Sequence, residues 1–228
     1  MCRMMIAVGS TKLGPLIEGL KEMAKDIHKD GWGVAYLENG SWKVVKSVRP
    51  CFDDPEIDKL ADITTSLAVL HARRASIGSL SLENTHPFQH SKWVFCHNGT
   101  INSPDKLELL PQFVPKGQTD SERLFYFILS SMKEGHEMQS VDERISKIAG
   151  YRAVNFILAS PDKAFVSIKF SQEPEYFTMQ IGRKRGLLVF ASEQVDSLRL
   201  QWAPMENNDL AEIDVATRKC TITSTGKL

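Results

Sequence analysis

The chain has 228 residues, 42% of them hydrophobic and 25% charged, a balance that supports a globular core and excludes intrinsic disorder. Its 28 Lys and Arg are matched by 28 Asp and Glu, so neither nucleic acid nor an anionic membrane surface is the expected partner, since both are met with net basic charge. No window approaches the ~18 apolar residues of a membrane span, and the apolar run at 4–8 is shorter than the ~7–15 residues of a secretory signal. Cys2, Cys51, Cys96 and Cys220 form no CxxC pair, which fits reduced thiols and a cytoplasmic location.

No repeat, low-complexity tract or Pro/Gly/Ser-rich linker divides the chain, and residues 1–228 read as one domain. Residues 3–8 read as a strand and 16–27 as a helix. A second strand over 31–37, punctuated by Gly31 and Gly33, is joined by the Asn39-Gly40 turn signal to an alternating stretch at 41–48 (Trp42, Val44, Lys46, Val48), predicting a hairpin. Asp54-Pro55 is an N-cap with proline at the first helical position and predicts a helix over 55–65. Short apolar runs at 67–71 and 92–96 have the character of buried strands. Ser103-Pro104 repeats the N-cap pattern for a helix over 104–110. Thr119-Asp120-Ser121-Glu122 is a capping box ahead of Leu124, Phe125, Phe127, Ile128, Leu129 and Met132, an apolar face wide enough for a largely buried helix. Ser140-Val141-Asp142-Glu143 is a second box, predicting a helix over 141–149. Strands are expected at 153–159, 164–170, 175–181, 187–191, 211–216 and 219–224. Short turns between several strands favour antiparallel sheets with packed helices, an α+β fold, over a doubly wound parallel sheet.

Four places carry candidate chemistry. Cys2 follows the initiator Met1, and its small side chain is of the type that permits Met excision. The freed α-amine titrates near ~7.7–8.0, so it is a usable general base on the same residue as a thiol with a pKa near ~8.5. Arg73, in His71-Ala72-Arg73-Arg74-Ala75-Ser76-Ile77-Gly78, ends a buried strand, where guanidinium either makes a structural ion pair or clamps a carboxylate. Cys96-His97-Asn98-Gly99 ends another; Asn-Gly is first a turn signal, and it also suits an oxyanion hole built from a side-chain amide and a Gly N–H. Asp120 opens the capping box, where an acid favours the helix dipole whether or not it binds anything. His71, His86, His90, Cys96 and His97 crowd one third of the chain, but Pro87 breaks the His86/His90 spacing and Cys96 and His97 point to opposite faces of a strand, so no metal site and no cofactor is expected.

Taken in order, Met1-Cys2, His71-x-Arg73-x-Ala75-Ser76-x-Gly78, Asn84-Thr85-His86-Pro87, His97-Asn98-Gly99 and Thr119-Asp120-Ser121-Glu122 resemble the class II glutamine amidotransferases, N-terminal-nucleophile hydrolases with a processed cysteine. The motifs span residues 2–135; beyond 150 the likeness is looser, chiefly residues 188–193 and the Trp202 region. The Met-Cys-Arg start and the length resemble the stand-alone members. The resemblance implies a four-layer αββα sandwich of two mostly antiparallel sheets. It implies Cys2 as nucleophile and base, Asn98 and Gly99 as the oxyanion hole, and Arg73, Ser76 and Asp120 as the substrate-binding residues, with His86 and His97 supporting them from behind. It further implies glutamine or another γ-glutamyl compound as substrate, and leaves room for a separate ammonia-accepting subunit and for a homo-oligomer. Arg74 stands where fused synthases often carry Trp, implying a more polar pocket edge and a different leaving group. Two rival readings are a noncatalytic relative that binds a γ-glutamyl ligand or a partner protein, and a metal-binding protein built on the His71–His97 cluster.

Overall fold

The computed structural model describes residues 2–25 and 27–226. Met1 and Asp26, on which the readings of the start and of the 16–27 helix partly fall, lie outside the described residues, as do Lys227 and Leu228.

The chain runs β1 (Arg3–Lys12), α1 (Leu13–Ala24), β2 (Trp32–Glu38), β3 (Ser41–Ser47), α2 (Pro55–Asp58), β4 (Thr64–Ala72), β5 (Phe88–His90) and β6 (Trp93–Ile101). It continues α3 (Asp120–Leu129), α4 (Glu137–Ser146), β7 (Tyr151–Ala159), β8 (Lys163–Ser167), α5 (Pro174–Phe177), β9 (Gln180–Lys184), β10 (Leu187–Ala191), β11 (Gln201–Pro204), β12 (Asp209–Asp214) and β13 (Cys220–Ser224). Seven strands form one sheet in the order β11-β9-β10-β1-β4-β2-β3, and six form the other, β13-β12-β8-β7-β6-β5. Neighbouring strands pair antiparallel, as in β1 with β4 and β6 with β7.

Side-chain alternation sorts the apolar residues into three layers. Met4, Ile6 and Val8 of β1 meet Val94 and Cys96 of β6 and Ile157 of β7 between the sheets. Met5 and Ala7 turn the other way, onto Leu16, Ile17 and Leu20 of α1. Phe95, Phe156 and Leu158 face outward from the second sheet onto Leu124, Phe125 and Ile128 of α3 and Val141 and Ile145 of α4. Helix, sheet, sheet and helix therefore stack as the αββα sandwich, an α+β fold.

Several boundaries differ from the sequence expectation. Helix α1 begins at Leu13 because its first amides are taken by backbone carbonyls, Leu13 N–H donating to Ile63 and Gly14 N–H to Ala61, with no side-chain cap to mark the start. Helix α2 keeps its Asp54 cap and proline but ends at Asp58, not 65, because Thr64 and Thr65 are drawn into β4 opposite Lys12 and Thr11. The 104–110 helix is a single 3₁₀ turn over Pro104–Lys106. Helix α4 starts at Glu137, and Ser140 does not cap it; its hydroxyl donates back to the His136 carbonyl at 2.9 Å. The predicted 175–181 strand divides into α5 and β9, because Pro174 sits at the first helical position after left-handed Glu173. The 164–170 strand closes at Ser167, with Phe170 returning only as an isolated bridge to Ala153. The sheet-edge strands β5 and β11, of 3 and 4 residues, were too short to register as periodic runs.

Phe95 is fully buried and stacks on Phe125 with ring centroids 5.1 Å apart, joining the second sheet to α3. Phe95→Ala should cost ~3–5 kcal/mol in urea unfolding. Val114→Ala, at a site 70% exposed, should change stability by less than about 0.5 kcal/mol.

Candidate active site

Strand parity decides what meets at the ends of the two sheets. Even-numbered residues of β1 point between the sheets, and Cys2 continues that series; Val94, Cys96 and Asn98 are the matching series on β6. Cys2 N–H accordingly donates to Asn98 Oδ1 at 2.9 Å across the layer, with both residues buried. The Cys2 Sγ lies 3.7 Å from the Arg74 carbonyl oxygen, within reach of an S–H donor. Burial, the largest influence, pushes the thiol above its ordinary pKa; the positive charge of Arg73 opposes this and the Asp120 carboxylate adds to it.

Gly99 follows Asn98 on β6, opposite Val154 of β7. A Cβ there would stand 1.9 Å from the Ala153 carbonyl oxygen and 2.6 Å from His97 Nε2, so only glycine lets the strand keep this course. His97 points to the opposite face. Its Nε2 lies 3.3 Å from the Ala153 carbonyl, which can only accept, so Nε2 carries the proton and Nδ1 accepts from the Ser121 hydroxyl at 2.9 Å. That bond ties the strand bearing Asn98 to the first turn of α3.

Asp120 opens α3 and is 4% exposed. Its Oδ2 accepts from the Ile101 N–H at 2.8 Å, a second tie between α3 and β6. The Thr119 hydroxyl caps the Glu122 N–H at 3.2 Å as expected. The reciprocal half of the capping box is redirected: the Glu122 carboxylate accepts from Lys116 N–H at 3.0 Å and Gly117 N–H at 2.7 Å, closing the preceding loop.

Arg73 follows the last residue of β4 and is 2% exposed. Its guanidinium donates to the carbonyls of Ser79 (3.2 Å), Ile77 (3.1 Å) and Gly78 (3.3 Å), folding the 74–79 loop around its own charge. A guanidinium carries five N–H donors, so the loop does not use them all. Ser76 is exposed in that loop and lines a 290 Å³ pocket with Arg74, Ala75, Arg152, Glu173 and Tyr176.

His71 and His86 are buried. The His71 and His86 rings sit 4.2 Å apart, and His86 packs on Phe88 at 4.5 Å. Burial, reinforced by Arg73 and the neighbouring imidazoles, holds both well below the ordinary histidine pKa, so they are neutral at pH 7. His86 packs against His71 and Phe88. Among the described residues no group of three or more His, Cys, Asp or Glu is arranged to hold a metal ion.

Sequence reasoning missed Tyr176, Arg3 and Arg152. The Tyr176 hydroxyl donates to the Cys2 carbonyl at 3.4 Å and lies 3.3 Å from His28 Nε2. The Arg3 guanidinium covers its ring at 4.1 Å and pairs with Glu193 at 3.1 Å. Burial pushes the Tyr176 phenol up to about 12. Tyr176 is 174 residues from Cys2, and it fell inside a stretch read as a strand; only the position of Glu193 in the looser 188–193 pattern hinted that this region returns to the site.

Known proteins resemble this chain in sequence and in fold. The family model for class II glutamine amidotransferases matches residues 1–180. The YafJ protein of Escherichia coli (strain K12) is 35% identical over 113 residues, covering 47% of this chain and 44% of YafJ. The glutamine–fructose-6-phosphate aminotransferase of Xylella fastidiosa (strain 9a5c) is 26% identical over 219 residues, 93% of this chain and 35% of that enzyme. The chain thus spans less than half the length of either curated relative. In three dimensions it superposes on the glutamine aminotransferase class-II domain protein of Silicibacter pomeroyi with a TM-score of 0.72 at 18% identity, covering 98% of this chain and 99% of the other, a likeness of fold. Because the family match takes in both candidate strand ends, the loop after β4 and the start of α3, the chain belongs to the class II glutamine amidotransferases.

Proposed function

We propose that the protein hydrolyses the side-chain amide of glutamine, or of a related γ-glutamyl compound, through a thioester on Cys2. The observation that carries the reading is the 2.9 Å hydrogen bond from Cys2 N to Asn98 Oδ1. Excision of Met1 turns that nitrogen into an α-amine already oriented by the Asn98 carbonyl, on the same residue as the thiol. A buried thiol with a raised pKa needs such an adjacent base, since little thiolate forms unaided at pH 7.

In this mechanism the α-amine takes the thiol proton as Sγ attacks the amide carbon. The tetrahedral oxyanion is held by the Asn98 amide NH₂ and the Gly99 N–H. The carbon–nitrogen bond then breaks, the α-ammonium returns its proton to the leaving nitrogen, and ammonia or an amine departs. Water, deprotonated by the α-amine, attacks the thioester and releases glutamate with the thiol restored. Arg73 receives the substrate α-carboxylate and Asp120 its α-ammonium, with Ser76 at the rim. Where ammonia is the leaving group, a separate subunit is the proposed acceptor. A cysteine nucleophile acts as a free thiol, and the four free cysteines fit a cytoplasmic location.

Four outcomes are expected. The intact mass of the purified protein should lack one Met and gain one adduct at Cys2 after treatment with 6-diazo-5-oxo-L-norleucine, while Cys2→Ala keeps its circular dichroism and loses both adduct and turnover; retained Met1 with no adduct would favour a noncatalytic binding protein. Asn98→Ala should lower kcat about 10²–10³-fold, or ~2.7–4 kcal/mol. Arg73→Lys should act mainly by raising KM, and an unchanged KM would remove the clamp assignment. Burial holds His71, His86 and His97 below the ordinary histidine pKa. The rise of kcat/KM between pH 6.5 and 8.5 should therefore follow the α-amine, and His97→Gln should lower the rate without moving that limb; a limb that shifts in this variant would instead assign it to the imidazole.

A further inference from the structure

We infer that the cavity between the 3₁₀ turn at Pro104–Lys106 and the C-terminal end of α4 binds a small organic phosphate, a phosphate monoester on an apolar or ring-bearing body. This is independent of the hydrolase reading: Cys2, Arg73, Asn98 and Asp120 are not among the residues that line the cavity.

Shape is the first argument. The cavity holds 510 Å³, against the ~30 Å³ that one water occupies in the liquid, so a bare inorganic ion would leave most of it unfilled. Its walls are tied together without a ligand. The Asn102 N–H donates to the Gly150 carbonyl at 2.8 Å, joining the end of β6 to the segment before β7. The Arg123 guanidinium donates to the Asp105 carbonyl at 3.1 Å, holding the 3₁₀ turn to α3. Walls already fixed in this way leave little ordering entropy for binding to supply. Ile101, Leu107, Phe127 and Ile148, all buried, form the apolar part of the lining.

Charge is the second. Lys106, Arg144 and Lys147 also line the cavity, against one acid, Glu108. The whole chain is balanced at 28 cations and 28 acids, so the excess is local. Among the described residues none of the three cations has an ion-pair partner. Arg144 and Lys147 sit at the C-terminal end of α4, where cations also answer the helix dipole. That dipole offsets only about half a charge. With Glu108 and the dipole subtracted, about 1.5 positive charges remain, close to the roughly −1.5 to −2 of a phosphate monoester at pH 7 and more than one carboxylate would neutralise.

Arg144 is the third. It is half-buried, and its guanidinium lies over the Phe127 ring at 4.5 Å. Among the described residues its side-chain donors make no hydrogen bond. A guanidinium seated on a ring with all five N–H donors unused is placed to grip two phosphate oxygens at once. The body of the ester then meets the apolar lining.

The test titrates the full chain by isothermal calorimetry. Naphthyl phosphate and adenosine monophosphate supply two ring-bearing esters, and inorganic phosphate and adenosine supply the separated halves. At least one ester should bind one to one with a Kd below about 1 mM, about tenfold or more tighter than inorganic phosphate and adenosine alike. Binding should weaken as salt rises, because Lys106 and Lys147 are exposed. Arg144→Gln should weaken it about tenfold and Arg144→Lys by less, since lysine keeps the charge and loses the bidentate fork. Arg74→Gln, which removes an exposed cation at the Cys2 end, should leave the Kd unchanged, as should Cys2→Ala. Absence of saturable binding by either ester, esters that bind no tighter than inorganic phosphate, or affinity that survives Arg144→Gln overturns the inference. Affinity lost in Arg74→Gln or Cys2→Ala and kept in Arg144→Gln assigns the anion to the Cys2 end and overturns it as well. Should circular dichroism show that Arg144→Gln does not fold, Lys147→Gln at its exposed position decides, and an unchanged Kd there overturns it. The readout is binding, so a failure of the hydrolase reading leaves each of these outcomes as decisive.

Discussion

One hydrogen bond joins the two sheets at the point where they could do chemistry. Cys2 N donates to Asn98 Oδ1 at 2.9 Å across 96 residues of sequence. Both groups are buried, so each would be left costly and unsatisfied without the other, by ~1–3 kcal/mol per group. The bond also fixes which end of the Asn98 amide is turned away. With the carbonyl committed to the Cys2 nitrogen, the NH₂ end is the one that remains to act as a donor. The same pairing thus orients the amine and the proposed oxyanion donor together, and neither can turn without releasing the other.

That bond exists only because the sheets are in register. The between-sheet layer takes even residues from both β1 and β6. A slip of one residue in either strand would turn Cys2 or Asn98 to the helix side and expel an entire apolar series from the core. Burial of Met4, Ile6, Val8, Val94 and Cys96 therefore aligns the site as a by-product of packing. The odd residues do complementary work. His97 reaches Ser121, and Ile101 N–H reaches Asp120, so the start of α3 is placed by the same strand that presents Asn98. Strand and helix form one frame.

Much of this was legible locally. The Asn39-Gly40 hairpin, the Asp54-Pro55 cap, the Thr119 cap of α3 and the alternation of the central strands are all signals carried within a few residues, and the antiparallel α+β architecture follows from them. The residues of the proposed glutamyl site were legible because they sit at strand ends and at a helix start, where motifs are compact. What sequence could not supply was competition. Ser140 has the grammar of a cap, yet its hydroxyl turns to the His136 carbonyl because the helix begins a turn earlier. Glu122 has the grammar of a reciprocal box, yet two loop amides claim its carboxylate. Tyr176 and Arg152 come to the pocket from the far side of the chain, and no local pattern marks a residue whose partner lies 174 positions away.

Arg73 shows how closely shape and charge are bound together at this end of the fold. Its guanidinium is 2% exposed, and three loop carbonyls compensate it in place of a carboxylate. Neutral acceptors offset only part of the desolvation cost of a buried cation, so the loop holds a charge that still favours an anion. Its field adds to the burial that holds His71 and His86 below the ordinary histidine pKa, and partly counters the burial that raises the Cys2 thiol. An incoming carboxylate would complete the neutralisation of Arg73 and in doing so weaken that counter-effect on the thiol. In the proposed mechanism, substrate binding at this position would therefore favour the protonated thiol, which would make a base on the same residue more necessary once substrate is in place. In that mechanism the α-amine of Cys2 meets the need without a separate histidine, while His71 and His86 pack against each other and His97 ties β6 to α3.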